Sequence, residues 1–176
     1  MDKTNPLKSV LISCVPETKP LGTGGGFLNA ARVSGESPAA WLVLNGDSLS
    51  LASLQPMLDA LAQPGVEGAI LGVRVPDATR FGTLAINAAG ELAGFNEKKP
   101  GAGVINAGIY LFNAATIETF PTREPLSFET DVFPSLAARR ARVKVCVTDA
   151  PFLDIGTPES LPQAEAFVQR HAEWFA

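Results

Sequence analysis

Two aspartates are the residues whose types and positions point most directly to chemistry. Asp47 follows a short apolar run, residues 41–44, after Asn45 and Gly46. Such a run is typical of a strand buried on both faces of a parallel sheet, and ligands bind at the carboxyl ends of these strands. A carboxylate at that edge could hold a divalent cation against a phosphate. A plain strand-to-loop turn is the alternative, because Asn, Gly and Asp all favour turns.

Asp154 and Asn106 are polar side chains inside apolar stretches. Asp154 lies within residues 152–156, where an unpaired carboxylate has to be compensated by a cation, a hydrogen-bond donor or protonation. Asn106 interrupts the apolar run 104–112, so it either ties neighbouring backbone or faces a ligand.

The glycine-rich stretch Gly22, Thr23, Gly24, Gly25 and Gly26 precedes a segment of helix-forming composition. A loop of this kind brings backbone close to a ligand and aims free N–H groups at an anion or a base. The spacing matches neither the dinucleotide fingerprint nor the Walker A pattern, so a flexible turn is the alternative.

Length and bulk composition predict one globular domain. The chain has 176 residues, 46% of them hydrophobic and 18% charged, with a formal net charge of −4. Without a basic cluster, nucleic acid is excluded as the main partner. There is no membrane-length apolar run and no leader-like start, which predicts a cytoplasmic protein. Cys14 and Cys146 lie in apolar runs, which predicts buried, reduced thiols.

Strand and helix patterns alternate along the chain. Together they predict a three-layer α/β fold with a mostly parallel sheet and a hairpin insertion. Ser53 is predicted to cap a helix that buries Leu54, Met57, Leu58 and Leu61; Asn113 and Ser127 are predicted to begin further helices. The predicted strands are residues 10–15, 41–44, 68–75, 104–112 and 143–147, and the hairpin covers residues 83–95.

Four stretches, taken together, resemble the sugar-1-phosphate nucleotidyltransferase family, in particular its short bacterial members that activate heptose, mannose or N-acetylmuramic acid 1-phosphates. The resemblance covers almost the whole chain and implies a Rossmann-like fold of the nucleotide-diphospho-sugar transferase type. The stretches are residues 20–26, 44–48, 94–98 with 105–110, and 152–158.

The resemblance implies a role for each matching residue. Asp47 and Asp154 would ligate Mg²⁺, and Lys98 would contact the sugar phosphate. Glu97 and Asn106 would bind sugar hydroxyls, and Gly82 would let the sugar approach the backbone. Gly22, Thr23, Gly24 and Gly25 would lie against the nucleotide. The implied substrates are a nucleoside triphosphate and a sugar 1-phosphate, which give a nucleotide sugar and pyrophosphate.

The sequence departs from the family at its amino terminus. Family members begin with a strand and a glycine-rich loop that holds an Arg, followed by a Pro-Lys pair, and these grip the triphosphate. Residues 1–9 contain no such loop, so the domain is expected to lack the family's first strands. The strand that ends at Asp47 would then have an exposed edge, which soluble proteins avoid. We expect residues 10–15 or a second copy of the chain to cover it.

Three functions stay open on the sequence alone. The chain is an enzyme of this family, with impaired activity as these 176 residues; or it is a non-catalytic module that binds sugar phosphate and nucleotide; or it is a self-associating structural remnant. Neither the base nor the sugar is identified by the residues present.

Overall fold

The computed structural model of the protein describes residues 12–97 and 100–175. No helix within these residues is long and apolar enough to cross a bilayer. The strands are β1 Ala40–Leu44, β2 Ser48–Ser50, β3 Gly68–Val75, β4 Gly82–Ile86, β5 Leu92–Glu97, β6 Gly103–Asn113, β7 Val143–Thr148 and β8 Phe152–Asp154. The α-helices are α1 Thr23–Ser34, α2 Gln55–Leu61, α3 Ala114–Ile117, α4 Phe133–Ala138 and α5 Gln163–Arg170. One π-helical turn, Phe128–Val132, leads into α4, and a 3₁₀ turn, Ala172–Trp174, follows α5.

The long strand β6 organises the main sheet. It pairs antiparallel with β3 along one edge and with β1 and β4 along the other. β7 pairs parallel with β3, and β5 completes a hairpin with β4. Because β1, β3, β4 and β7 all run opposite to β6, most strands point one way, although only β3 and β7 hydrogen-bond in parallel. β2 and β8 form a separate two-stranded sheet.

Alternate residues of β6 face opposite sides of the sheet, and each side carries its own core. Tyr110 and Phe112 pack with Phe128 and Phe133 on the face that α4 covers, at ring-centroid separations of 4.8 to 6.4 Å. Ile105, Ala107, Ile109 and Leu111 pack on the other face with Met57 of α2. Helices therefore cover both sheet faces, which confirms the three-layer α/β prediction.

Several predicted elements are confirmed. Each is favoured by its own residues, and the tertiary structure contains it at the predicted place. β3, the β4–β5 hairpin and β6 lie where the pattern places them. Asn113 caps α3 by accepting from the N–H of Thr116 at 2.8 Å. Ser127 caps the π-helical turn by accepting from the N–H groups of Glu129 and Thr130.

The predicted first strand is wrong in its described part. Residues 12–16 form no strand, Ile12 is 70% exposed, and Cys14 is also exposed instead of buried. Val10 and Leu11 lie outside the described residues. A short apolar run becomes a strand only when a partner strand accepts its hydrogen bonds, and none of the described strands pairs with this one.

Two helix predictions need correction. α1 begins at Thr23, so most of the glycine-rich stretch is the first turn of a helix and not a loop. In α2, which is only seven residues long, Met57 is fully buried but Leu58 is 51% exposed, so the predicted apolar stripe is narrower than expected.

Candidate functional site

Asp47 and Asp154 are brought together by the small β2–β8 sheet. Asp47 lies in the turn between β1 and β2, and Asp154 is the last residue of β8, opposite Ser48. The N–H of Ile155 donates to the carbonyl of Asp47 at 2.8 Å, which extends the ladder by one bond. The two carboxylates therefore meet at the same end of this sheet.

Gly156 lies against both carboxylates. A Cβ added to Gly156 would lie 2.9 Å from Asp47 Oδ2 and 3.0 Å from Asp154 Oδ1. Both oxygens thus converge on a point that only a glycine leaves open. No cluster of three or more His, Cys, Asp or Glu side chains with metal-binding spacing occurs in the described part of the chain. Two carboxylates nevertheless suit Mg²⁺, which keeps several waters and binds substrate phosphates.

Asn106 supports the turn that carries Asp47. Its Oδ1 accepts from the N–H of Gly108 at 3.1 Å, and its Nδ2 donates to the hydroxyl of Tyr110 at 2.8 Å. Gly108 has φ of +72°, and its carbonyl accepts from the N–H of Asn45 at 2.7 Å. Asn106 therefore ties neighbouring backbone, which is one of the two roles predicted for it.

The predicted nucleotide-binding stretch is held by Leu126. The N–H groups of Gly24 and Gly25 donate to the carbonyl of Leu126 at 2.9 and 3.1 Å, so neither is free for a base. Gly22 has φ of +80°, and a Cβ there would collide with the same carbonyl. Chain packing therefore accounts for these glycines without a ligand.

Thr23 is the one residue of the predicted set Gly22, Thr23, Gly24 and Gly25 that reaches a large cavity. This cavity, about 830 Å³, lies between α1 and β1 and extends to Asn45, next to Asp47. Gly26, part of the predicted glycine-rich stretch, also lines it, as do Trp41 and Asn45, which were not predicted as site residues. The only indication of such residues in the sequence was that they flank the predicted ones.

Gly82 and Glu97 face each other at the open end of the β4–β5 hairpin. The ring of Phe95 occupies the place of a Cβ on Gly82, so packing alone requires a glycine there. Lys98 lies outside the described residues. Arg80, just before this strand, lines a cavity of about 210 Å³ together with Asp154, and sequence reasoning did not select it.

A sequence model of the family described as "Nucleotidyl transferase" matches residues 2–171. The chain belongs to the nucleotidyl transferase family. Among curated relatives of this chain, mannose-1-phosphate guanylyltransferase from Mycobacterium tuberculosis is 35% identical, over 90% of this chain and 45% of the relative. Mannose-1-phosphate guanylyltransferase 1 from Arabidopsis thaliana is 32% identical, over 85% of this chain and 42% of the relative.

Solved structures agree with the fold of a nucleotidyl transferase. HddC from Yersinia pseudotuberculosis, complexed with GMP-PN, superposes with a TM-score of 0.71 at 32% identity. The match covers 86% of this chain and 64% of HddC. The predicted family and the Rossmann-like α/β fold are therefore confirmed. This nucleotidyl transferase chain spans about half the length of the curated relatives that it matches.

Proposed function

We propose that this chain carries the metal and sugar-phosphate side of a sugar-1-phosphate nucleotidyltransferase. The observation that carries the proposal is the convergence of the Asp47 and Asp154 carboxylates on the space above Gly156. Mg²⁺ bound there would neutralise charge on the phosphates of both substrates. The relatives named for mannose 1-phosphate and guanylyl transfer make GTP and a mannose- or heptose-type 1-phosphate the first substrates to test.

The proposed reaction is an in-line displacement. A phosphate oxygen of the sugar 1-phosphate bonds to the α-phosphorus of the nucleoside triphosphate. The bond from that phosphorus to the bridging oxygen of the β-phosphate breaks, and pyrophosphate leaves with the electron pair. No covalent intermediate with the protein is needed, since positioning and charge neutralisation supply most of the rate.

Further residues carry proposed binding roles. Lys98 contacts the sugar phosphate, while Glu97 and Asn106 bind sugar hydroxyls near the backbone of Gly82. Thr23 faces the nucleotide from the cavity between α1 and β1. The remaining predicted nucleotide-binding residues, Gly22, Gly24 and Gly25, would act by shaping the first turn of α1, because their contacts to Leu126 occupy them.

We further propose that these 176 residues alone transfer slowly or not at all, because the sequence contains no arginine-bearing glycine loop for the triphosphate. The deciding experiment measures pyrophosphate release from GTP, UTP, CTP and dTTP with Mg²⁺ and a panel of sugar 1-phosphates. It is run with and without an added polypeptide that carries a relative's amino-terminal strand and loop.

A non-catalytic binding module is the second candidate. It is favoured by the first turn of α1, where two N–H groups donate to Leu126 and not outward. Thermal shifts with sugar 1-phosphate and Mg²⁺, without pyrophosphate release under either condition, would support the binding module. Release that is lost in Asp47→Asn and retained in Asp149→Asn would support the transferase, because Asp149 lies on the surface beside Arg74.

The open edge of β1 supports a proposal of self-association. Among the described strands, β1 pairs only with β6, and Leu42 and Leu44 are 42% and 57% exposed. Trp41 and Val43, on the other face, are packed against Phe27 and the core. An apolar strand with a free edge is a template for pairing with another chain, so we propose that a second copy docks there.

A further inference from the structure

A chain of polar contacts joins the first turn of α1 to the turn that carries Asp47. It begins at Thr23, whose hydroxyl donates to Glu129 Oε2 at 3.1 Å and accepts from the N–H of Phe128 at 3.0 Å. Ser127 donates to the same carboxylate oxygen at 2.8 Å. Glu129 therefore fixes the orientation of Thr23 at the edge of the cavity between α1 and β1.

Tyr110 continues the contacts along one face of β6. Its hydroxyl donates to Glu129 Oε1 at 3.4 Å and accepts from Asn106 Nδ2 at 2.8 Å. The side chain is fully buried, and its ring packs 4.8 Å from that of Phe128. A buried tyrosine hydroxyl needs such partners, and here Asn106 donates to it while Glu129 accepts from it.

The contacts end at the turn that carries Asp47. Asn106 holds the N–H of Gly108, and the carbonyl of Gly108 accepts from the N–H of Asn45 at 2.7 Å. The Asn45 side chain packs so closely over Gly108 that an added Cβ would come within 2.7 Å of Asn45 Cγ. Asp47 follows two residues later, and its carbonyl is bonded to Ile155.

We infer that Tyr110 and Glu129 are positioning residues that hold the Asp47 turn and the first turn of α1 in a fixed relation. Through them, the two carboxylates that would bind the cation keep their place relative to Thr23, which faces the nucleotide. The proposed function supplies the cation and the nucleotide in this inference. The hydrogen bonds that join the two turns do not depend on the proposed function.

The Tyr110 hydroxyl keeps its proton in the physiological pH range, so it remains a hydrogen-bond donor to Glu129 there. Burial first, then the carboxylate of Glu129 and more weakly that of Asp47, raise the pKa of Tyr110 far above its ordinary value. The same hydrogen is therefore always available to Glu129.

The test is amide hydrogen exchange in the full chain, compared between the wild type and Tyr110→Phe, which keeps the buried ring. Exchange at Gly108, Asn45 and Phe128 should accelerate about fivefold or more beyond any change at Thr116, in line with the loss of about 1 kcal/mol of local hydrogen bonding. Glu129→Ala should accelerate exchange of the same amides, because it removes the carboxylate to which both Tyr110 and Thr23 donate. Thr116→Val is the matched control, because it removes a buried, hydrogen-bonded hydroxyl away from the site.

A second readout separates this inference from the proposed function. Mn²⁺, a spectroscopic substitute for Mg²⁺, is titrated by electron paramagnetic resonance, and its dissociation constant should rise several-fold in Tyr110→Phe and not in Thr116→Val. Exchange that changes equally at Gly108, Phe128 and Thr116 in both Tyr110→Phe and Glu129→Ala would overturn the inference. Selective exchange with no Mn²⁺ binding in the wild type would support the contacts and contradict the proposed function instead.

Discussion

The N–H of Ile155 donates to the carbonyl of Asp47 at 2.8 Å, and this bond joins two turns that are far apart in the sequence. Each turn carries one aspartate of the proposed cation site. The bond belongs to the backbone, so it sets the distance between the turns whatever the protonation of the carboxylates.

Mg²⁺ should stabilise the folded chain through Asp47 and Asp154. At ten times its dissociation constant, the ion should add about 1.4 kcal/mol, which is roughly 3 to 6 °C in melting temperature. Asp47→Asn and Asp154→Asn should each abolish the shift, whereas Asp149→Asn should keep it. An equal response in all three variants would place the ion elsewhere.

Gly156→Ala should remove cation binding with little change of backbone. The new methyl group would lie 2.9 Å from Asp47 Oδ2 and 3.0 Å from Asp154 Oδ1, so one carboxylate has to move. We expect the Mn²⁺ dissociation constant to rise at least tenfold. Gly94→Ala is the control, since its Cβ would meet only Ala85 at 3.9 Å. Unchanged Mn²⁺ affinity in Gly156→Ala would contradict the proposed position of the ion.

Gly82→Ala should destabilise the hairpin through Phe95. The added methyl overlaps the ring of Phe95, and overpacking of this kind costs about 1 to 3 kcal/mol. Urea denaturation measures the loss, and Phe95→Leu in the same chain should restore part of it. If the double variant recovers nothing, the glycine is required for a reason other than packing.

Glu91→Gln should destabilise the chain only above the acidic range. Hydrogen bonding to Lys144, and then to Asn87 and Arg142, lowers the pKa of Glu91 against the opposing effect of burial. The pair Lys144–Glu91 spans 3.1 Å and joins the hairpin turn to β7. Because the folded-state pKa is lowered, the contribution is full above the ordinary carboxyl pKa and disappears as pH falls through the folded value.

For Glu91→Gln we expect a loss of about 0.5 to 1 kcal/mol in urea denaturation at pH 7 and a difference that vanishes once the pH has fallen through the lowered pKa of Glu91. Glu118→Gln, at an exposed position, is the control and should change the free energy of unfolding at pH 7 by less than about 0.5 kcal/mol. A difference that persists at low pH would mean that side-chain packing or strand propensity, and not charge, explains the loss.

Leu44→Lys should weaken self-association across β1. A charge on the exposed apolar face of an edge strand blocks pairing with another chain. Sedimentation velocity over a hundredfold range of concentration should show a dimer in the wild type and a monomer in the variant. The control Leu161→Lys changes another exposed leucine, away from β1. A wild-type chain that stays monomeric throughout would contradict the proposed dimer.

Elements with a local signal could be predicted from the sequence. The apolar runs of β3 and β6 and the caps at Asn113 and Ser127 each follow from neighbours in the chain, and the structure has them. β2 and β8 were missed because each has only three residues, and they form only by pairing with each other. The apolar run at residues 12–15 has a composition that favours a strand, but it forms none, because no described strand pairs with it.

Side-chain partners were the least predictable part of the site. The nearness of Asp47 and Asp154 followed from the family resemblance and not from spacing. Glu129 gave no signal beyond its place at a helix start, and its contact with Thr23 joins distant segments. Tyr110 did carry a signal, because a single tyrosine in a buried strand requires a hydrogen-bond partner. The partner itself could not be named without the fold.

The β2–β8 ladder pairs Ser48 with Asp154, so almost the entire described chain has to be synthesised before the ladder can close. A growing chain on the ribosome that has passed Asp47 holds only half of the ion's ligands. The proposed affinity for a divalent cation should therefore arise only after Gly156 has left the exit tunnel. Cation capture would then follow the pairing of β2 with β8 and would not guide the folding of the segments synthesised earlier.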